Sequence, residues 1–213
     1  MDEPVKRNYQ AVRRAESARR TRRAIVAAAT ELFLRDGFGR TTVDAVARAA
    51  AVSRKTVFRS VGGKVELLKV AMDWAVTGDD EAGPLAARPE IAQLAGQADG
   101  AAILAEWAAL TAAIDSRVAG LSLVLAEAAG LDPAAREQRV LARSQRFDGG
   151  TAFADLLATR GLLRADVSAR HAADIVWLHS DPAIYHQLVV ERDWTHEQFV
   201  GWLAGAVNTQ LLK

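Results

Sequence analysis

The stretch from Thr41 to Ser60, TTVDAVARAAAVSRKTVFRS, reads as two short helices broken at Ala51-Val52-Ser53. Thr41 or Thr42 can cap the first helix, which buries Val43, Val46, Ala47 and Ala50. Its small side chains let neighbouring helices approach closely. Ser53 caps a second helix of roughly two turns, ending near Ser60, with Val57 inward and help from Phe58 or Val61. Arg54, Lys55, Thr56 and Arg59 then lie on that helix with Ser53 at its start. A capped, basic helix held across a tight turn from another helix can enter a DNA major groove, which is about 12 Å wide.

The rest of the chain is also helical in pattern. Ile25, Ala28, Ala29, Leu32 and Phe33 recur at the helical period from Thr21, and Asp36-Gly37-Phe38-Gly39 stops that run. Gly62-Gly63 punctuates before a longer helix with Val65, Leu67, Leu68, Ala71, Trp74 and Ala75. Past Thr77 the segment GDDEAGPLAARP reads as a turn-rich linker. Ile103, Trp107, Leu110 and Ile114 then form one stripe from about Gly100 to Arg117, with a very apolar continuation from Val118 to Ala128. Asp132-Pro133 opens a long helix to about Thr159, which Gly149-Gly150 is expected to bend. Ser168, Asp181-Pro182 and the Thr195/Gln198 capping box start the last three helices. No β-alternation persists, so the fold class is all-α.

Charge divides the chain. Residues 1–70 hold 16 Lys/Arg against 7 Asp/Glu, and residues 71–213 hold 11 against 19, so +9 at one end faces −8 at the other. One end attracts a polyanion while the other repels it. Eight basic residues precede position 24, among them Arg22 and Arg23, which suit phosphate contact. The expected organisation is a basic, flexible arm over 1–20, a helix-turn-helix domain over 21–70 whose connecting helix runs to about 77, and a regulatory and dimerisation domain over 78–213. There is no cysteine, which excludes a disulfide framework and thiolate chemistry and suits the cytoplasm. The basic start is not followed by an apolar run, which argues against a signal peptide. No segment is expected to reach the roughly 18 to 20 apolar residues of a membrane span.

Arg54 and Lys55 occupy the first turn after Ser53, where base edges are met and where either can donate to guanine O6 and N7. Thr56 is the third candidate base contact, through its methyl group. Thr42, Ser53 and Lys64 sit at helix starts, where free backbone N–H groups already attract anions, and Arg59 reaches the phosphate backbone or a base.

Residues 24–70 resemble the DNA-binding domain of the TetR family of bacterial transcriptional regulators. The resemblance is carried by Ala28, Phe33, Gly39, Thr41-Thr42-Val43, Ala47, Ala50, Val52-Ser53, Thr56, Arg59, Lys64 and Leu67-Leu68. It implies a three-helix helix-turn-helix unit joined by a fourth helix to a larger helical ligand-binding and dimerisation domain. It further implies a homodimer on palindromic double-stranded operator DNA, nucleoid-associated when bound, acting as a repressor released by a small-molecule effector. Three positions depart from the pattern. Ala51 replaces a usual glycine in the turn, where positive φ would cost about 1 kcal/mol. Phe58 stands at a phosphate-contacting position normally held by tyrosine, so the packing stays and the hydroxyl is gone. Val61 fills less space than the common phenylalanine.

A ligand in the C-terminal half would find walls in Trp107, Phe147, Phe153, Trp177 and Tyr185, with Asp115, His179 and Asn208 as polar handles. That set suits an apolar or aromatic effector, and the acidic half favours neutral or cationic molecules over anions. The apolar closing helices, 172–178 and 199–211, are the expected dimer interface. The four histidines lack metalloprotease spacing and no nucleophile elbow or phosphate loop is present, so neither an enzyme nor a cofactor is expected. The rival readings are a helical dimeric interaction protein and a DNA-binding protein without a ligand.

Overall fold

A computed structural model describes residues 3–80, 83, 85–97 and 99–213, with side chains from residue 13 onward. Among the described residues ten α-helices follow one another: α1 (Glu3–Arg40), α2 (Val43–Ala49), α3 (Arg54–Ser60), α4 (Lys64–Thr77), α5 (Pro89–Gly96), α6 (Gly100–Leu131), α7 (Pro133–Thr159), α8 (Ala169–His179), α9 (Pro182–Tyr185) and α10 (His196–Leu211). A π-helical stretch, His186–Val190, continues α9. The only β pairing among the described residues is an isolated antiparallel bridge between Leu163 and Leu212.

Side-chain caps set most of the helix starts. Thr42, Ser53, Asp99, Asp132, Ser168, Asp181 and Thr195 each accept a backbone N–H from the first turn that follows. The choice between Thr41 and Thr42 is settled by burial. Thr42 is exposed and caps α2, whereas buried Thr41 donates its hydroxyl to the carbonyls of Gly37 (2.8 Å) and Leu32 (3.2 Å), closing the end of α1.

Several expectations need correction. The first helix starts at Glu3 and not at Thr21, so the basic segment is its N-terminal extension; the side chains of Lys6 and Arg7 lie outside the described residues. The linker ends at the start of α5, a helix that falls before the expected one at Gly100; Pro89, the last linker residue, sits at its first helical position and its Leu94 is buried. Gly149-Gly150 does not interrupt α7. Gly150 faces α8, where a Cβ would make ordinary van der Waals contact, 3.4 Å from the Trp177 backbone nitrogen and 3.5 Å from the Ala173 carbonyl oxygen. One helix, α6, is 32 residues long with a window of mean hydropathy 1.5, apolar and long enough to cross a membrane. Half of that window is buried against other helices, as in a core helix.

Two hydrophobic cores are built on α6. Ile103, Leu104, Trp107, Ala108, Ala112 and Ala119 join Phe153, Leu157, Val176, Tyr185, Phe199 and Leu203 in the core of the C-terminal helices. Leu121, Val124, Leu125 and Ala128 join Ile25, Phe33, Phe38, Val46, Val57, Leu67 and Leu68 in the core of the N-terminal helices. Full burial of such a side chain contributes about 1.5–3 kcal/mol. The last third of α6 therefore holds α1 to α4 in place.

The turn between α2 and α3 carries strain. Ala51 has φ of 52°, the left-handed region, so the turn does not avoid the conformation that its missing glycine would relax. An alanine there costs about 1–2 kcal/mol, of which the greater unfolded-state freedom of glycine would cancel about 0.4–1 kcal/mol. Ala51→Gly is expected to stabilise the protein by about 0.5–1 kcal/mol, read as a higher urea midpoint at unchanged slope. A lower midpoint would show that the turn is unstrained.

Candidate nucleic-acid interface and regulatory pocket

The α3 helix buries only Val57 and turns its basic side outward. Ser53 Oγ accepts the Thr56 N–H at 3.0 Å and also meets Thr56 Oγ1 at 2.8 Å, so the Thr56 hydroxyl is engaged in the cap and its methyl remains. Arg54, Lys55, Phe58 and Arg59 are exposed. The Arg54 guanidinium lies 5.6 Å from the Phe58 ring centroid and pairs with Asp44 of α2 at 3.1 Å. Sequence reasoning missed Asp44. Both partners are more than half exposed, and such a pair is worth about 0–1 kcal/mol, so a guanine can take Arg54 from it at small cost.

The expected phosphate contacts separate into two groups. Thr42, Ser53, Phe58 and Arg59 lie exposed on the α2–α3 unit. Arg22, Arg23 and Lys64 hold intramolecular partners. Arg22 donates to the Ser60 carbonyl at the end of α3. Arg23 and Arg19 both bind the Asp80 carboxylate, Arg19 at 2.8 Å and Arg23 through Nε at 2.6 Å. Hydrogen bonds from Arg19 and Arg23 hold the Asp80 carboxyl far below the usual carboxylate range. The middle of α1 is thereby tied to the segment that follows α4.

Lys64 takes part in a junction that the sequence did not reveal. Its Nζ lies 4.1 Å from the Phe38 ring centroid and donates to the Gly39 carbonyl at 3.3 Å, and partial burial lowers its pKa. On the other side of the same turn, the Glu127 carboxylate of α6 accepts the N–H groups of Gly39 (2.9 Å) and Phe38 (3.1 Å). Gly37 makes this possible with φ of 77°, and a Cβ there would sit 2.8 Å from Glu127 Oε2. The turn that leads into α2 is thus held by α4 and α6 together.

In the C-terminal half, Trp107 and Phe153 stack with centroids 5.3 Å apart and share a core with Tyr185. Tyr185 also meets Phe199 edge-on and its hydroxyl lies 3.1 Å from His196 Nδ1. Asp115 is 2% exposed on α6, and its Oδ2 has no hydrogen-bond partner among the described residues. Burial pushes its pKa up to about 8, against the pull of Arg146 and with a further push from Asp181. Arg146 of α7 donates to the Trp177 carbonyl (2.9 Å) and to Asp181 (2.8 Å), and its guanidinium lies 5.1 Å from the Trp177 ring centroid. Sequence reasoning missed Arg146 because an arginine on a long polar helix looks like a solvated one.

The remaining expected pocket residues lie elsewhere. Phe147 is 38% exposed and touches Trp177 edge-on. His179 bonds the Ile175 carbonyl through Nδ1 and faces Gln210 through Nε2. Asn208 is exposed on α10. No group of three or more metal-ligating side chains occurs among the described residues.

Comparison with known proteins bears on this arrangement. Residues 25–71 match the model of bacterial regulatory proteins of the tetR family, a span that covers α2 and α3 and the parts of α1 and α4 packed on them. A DNA-binding transcriptional repressor TetR from Mycobacteroides abscessus is 40% identical over 50 residues, 24% of this chain and 26% of that protein. The chain thus matches about a quarter of that relative's length. Among solved structures, NalD of Pseudomonas aeruginosa, described as the secondary repressor of the MexAB-OprM multidrug efflux pump, superposes with a TM-score of 0.68 at 20% identity, over 93% of this chain and 98% of that one. The MbdR regulator from Azoarcus sp. CIB superposes with a TM-score of 0.65 at 16% identity, over 91% and 100%. Residues 25–71, the part of the chain that holds α2 and α3, are thus similar to bacterial regulatory proteins of the tetR family. The distant structures extend the shared fold, and only the fold, over the remaining helices.

The Glu127 junction has a defined pH signature. Hydrogen bonds from Gly39 and Phe38 lower its pKa, so its stabilising contribution is complete above the unfolded carboxylate value of about 4.3 and is lost as pH falls through the lower folded value. Glu127→Gln is expected to lower the urea midpoint at neutral pH, with the gap to wild type closing in acid. Equal midpoints at neutral pH would remove the junction's role.

Proposed function

We propose that the chain is a homodimeric repressor that reads a palindromic operator with Arg54, Lys55 and Thr56 of α3 and is released by a small-molecule effector. The observation that carries this reading is the capped, outward-facing α3, with two exposed cations in its first turn and only Val57 committed to the core. Thr42, Ser53 and Arg59 hold phosphates beside it, and Phe58 packs against the backbone there without donating. Arg22, Arg23 and Lys64 act on phosphates only by giving up their present partners, so their main effect is to hold α3 and the α1–α2 turn in position. The efflux-pump repressor and the mycobacterial repressor support repression as the direction of control. The working compartment is the cytoplasm, at the nucleoid when DNA is bound.

One two-turn helix touches too few base pairs for useful specificity, so a pair of them is needed, about 34–36 Å apart in successive major-groove faces. We assign the pairing surface to α8 and α10. Their inner faces, with Ala172, Ala173, Val176, Phe199, Leu203 and Val207, fill the core, while Leu178 is 59% exposed and Gly201 and Gly205 leave the outer face of α10 open to close approach. The division 21–70 and 78–213 then separates reading from pairing, with α6 serving both.

Two measurements test this reading. Fluorescence anisotropy on the selected operator should show salt-dependent binding that Arg54→Ala or Lys55→Ala weakens by about 1–3 kcal/mol, with relaxed preference at one base pair. Arg59→Ala should instead weaken all sequences alike and lower the salt slope by about 1. Unchanged selectivity in the Arg54 and Lys55 variants would remove the base-reading assignment. Sedimentation should give twice the 22.9 kDa chain mass at micromolar concentration, and a mass near that of one chain would overturn the dimer.

A further inference from the structure

We propose that Asp115 of α6, buried with an unpartnered oxygen in the field of Arg146 of α7, binds an organic cation: a protonated amine on an apolar or aromatic body that also carries a hydrogen-bond acceptor. This rests on the effector reading above and names the chemical class of the effector.

The argument begins with charge balance. Arg146 is the cation that acts on Asp115, and two carboxyl groups, Asp115 and Asp181, share its field. Arg146 is committed to one of them, with Nη2 on Asp181 and Nη1 on the Trp177 carbonyl. Asp115 is left almost wholly buried with an unpartnered oxygen. A buried polar group without a partner costs about 1–3 kcal/mol, and a buried unpaired carboxylate costs more, so the group holds its proton instead. The raised value of about 8 expresses the same fact.

A second orphan lies on the neighbouring helix. Trp177 Nε1 is buried with no acceptor among the described residues, while the ring itself lies near the guanidinium groups of Arg146 and Arg143. One unsatisfied acceptor and one unsatisfied donor therefore belong to the same cluster, joined through Arg146. An ammonium group completes the balance by giving Asp115 its own counter-ion, and an ether or carbonyl oxygen on the same molecule can accept from Trp177. Trp107, Phe153 and Tyr185 supply apolar surface in the same core for the body of the ligand. An anion has the opposite fate, since it would face Asp115 and Asp181 with Arg146 already engaged. Tyr185, whose pKa is raised by burial and by Asp115, stays protonated and adds no charge.

A cation that enters at neutral pH must drive the proton off Asp115. Binding therefore releases about one proton at pH 7 and tightens as pH rises toward 8.

The test uses the full chain and three near-isosteric probes: phenoxypropylamine, phenoxypropanol and phenoxybutyrate. Isothermal titration should show the amine binding at least about tenfold tighter than the alcohol, with the carboxylate weakest. Repeating the amine titration in buffers of different ionisation enthalpy should reveal the released proton in wild-type protein, which needs no variant. Asp115→Asn should abolish both the proton release and the preference for the amine, with circular dichroism as the check on folding. Equal binding of amine and alcohol, absence of proton release, or failure of all three probes to bind would each overturn the assignment. Operator binding by the ligand-free protein is measured separately. Its failure overturns the repressor reading and leaves the cation site standing. Amine binding that leaves operator affinity unchanged supports the site and removes its link to release.

Discussion

The structure depends on one helix serving two cores. The first part of α6 packs among α7, α9 and α10, and its last third packs among α1 and α4. The candidate DNA-reading helices are short: α2 and α3 have seven residues each, below the length at which a helix is stable in water by itself. They persist because Val46 and Val57 are buried in a cluster that Leu121, Val124, Leu125 and Ala128 complete. The reading unit is consequently not a bead on a linker. It shares a structural member with the helices that carry the candidate pocket.

What could be read in the sequence follows from locality. Caps and prolines act within one turn, so Ser53, Asp132-Pro133, Asp181-Pro182 and the Thr195/Gln198 box placed helix starts to within a residue. The exposed cations of α3 were equally legible, because an amphipathic helix with one buried valine leaves little choice of face. Short or screened signals were lost. Helix α5 offers only Ile91 and Leu94 as large apolar residues and lies among glycines, prolines and charges, which masked its period. The N-terminal extension of α1 reads as an arm because its charge masks its helical pattern.

Long-range pairing was not legible at all. Glu127 reaches Phe38 and Gly39 from 88 or 89 positions away, and Asp80 meets Arg19 and Arg23 from about 60 away; no periodicity or spacing rule joins them. Lys64 illustrates the cost of reading a residue in isolation. At a helix start it looks like a phosphate ligand, yet it is partly buried over Phe38 and bonds Gly39 of the same unit. The aromatic residues of the second half divide similarly. Trp107, Phe153 and Tyr185 converge as their helical stripes suggest, whereas Phe147, one turn and a half before Phe153, stays near the surface beside Trp177.

The placement of Asp115 and Glu127 on α6 connects the two halves mechanically. Twelve residues separate them, about 18 Å along one continuous helix. At one end stands a buried carboxyl with unspent bonding capacity, and at the other a carboxylate that holds the turn leading into α2. A ligand that bonds Asp115 can change DNA affinity only if α6 takes a different position in the liganded state, since equal affinity for both states shifts nothing. The Glu127 junction is suited to register such a shift: two hydrogen bonds to adjacent N–H groups of one turn, with Lys64 of α4 on the same turn, tolerate little sliding before they break. A coupling of 1–3 kcal/mol, typical of allosteric proteins and worth roughly 5–150-fold in operator affinity, is of the size that losing such a pair of bonds supplies. Under the proposed function such a coupling needs no contact between the ligand and α1 to α4, because α6 packs in both cores.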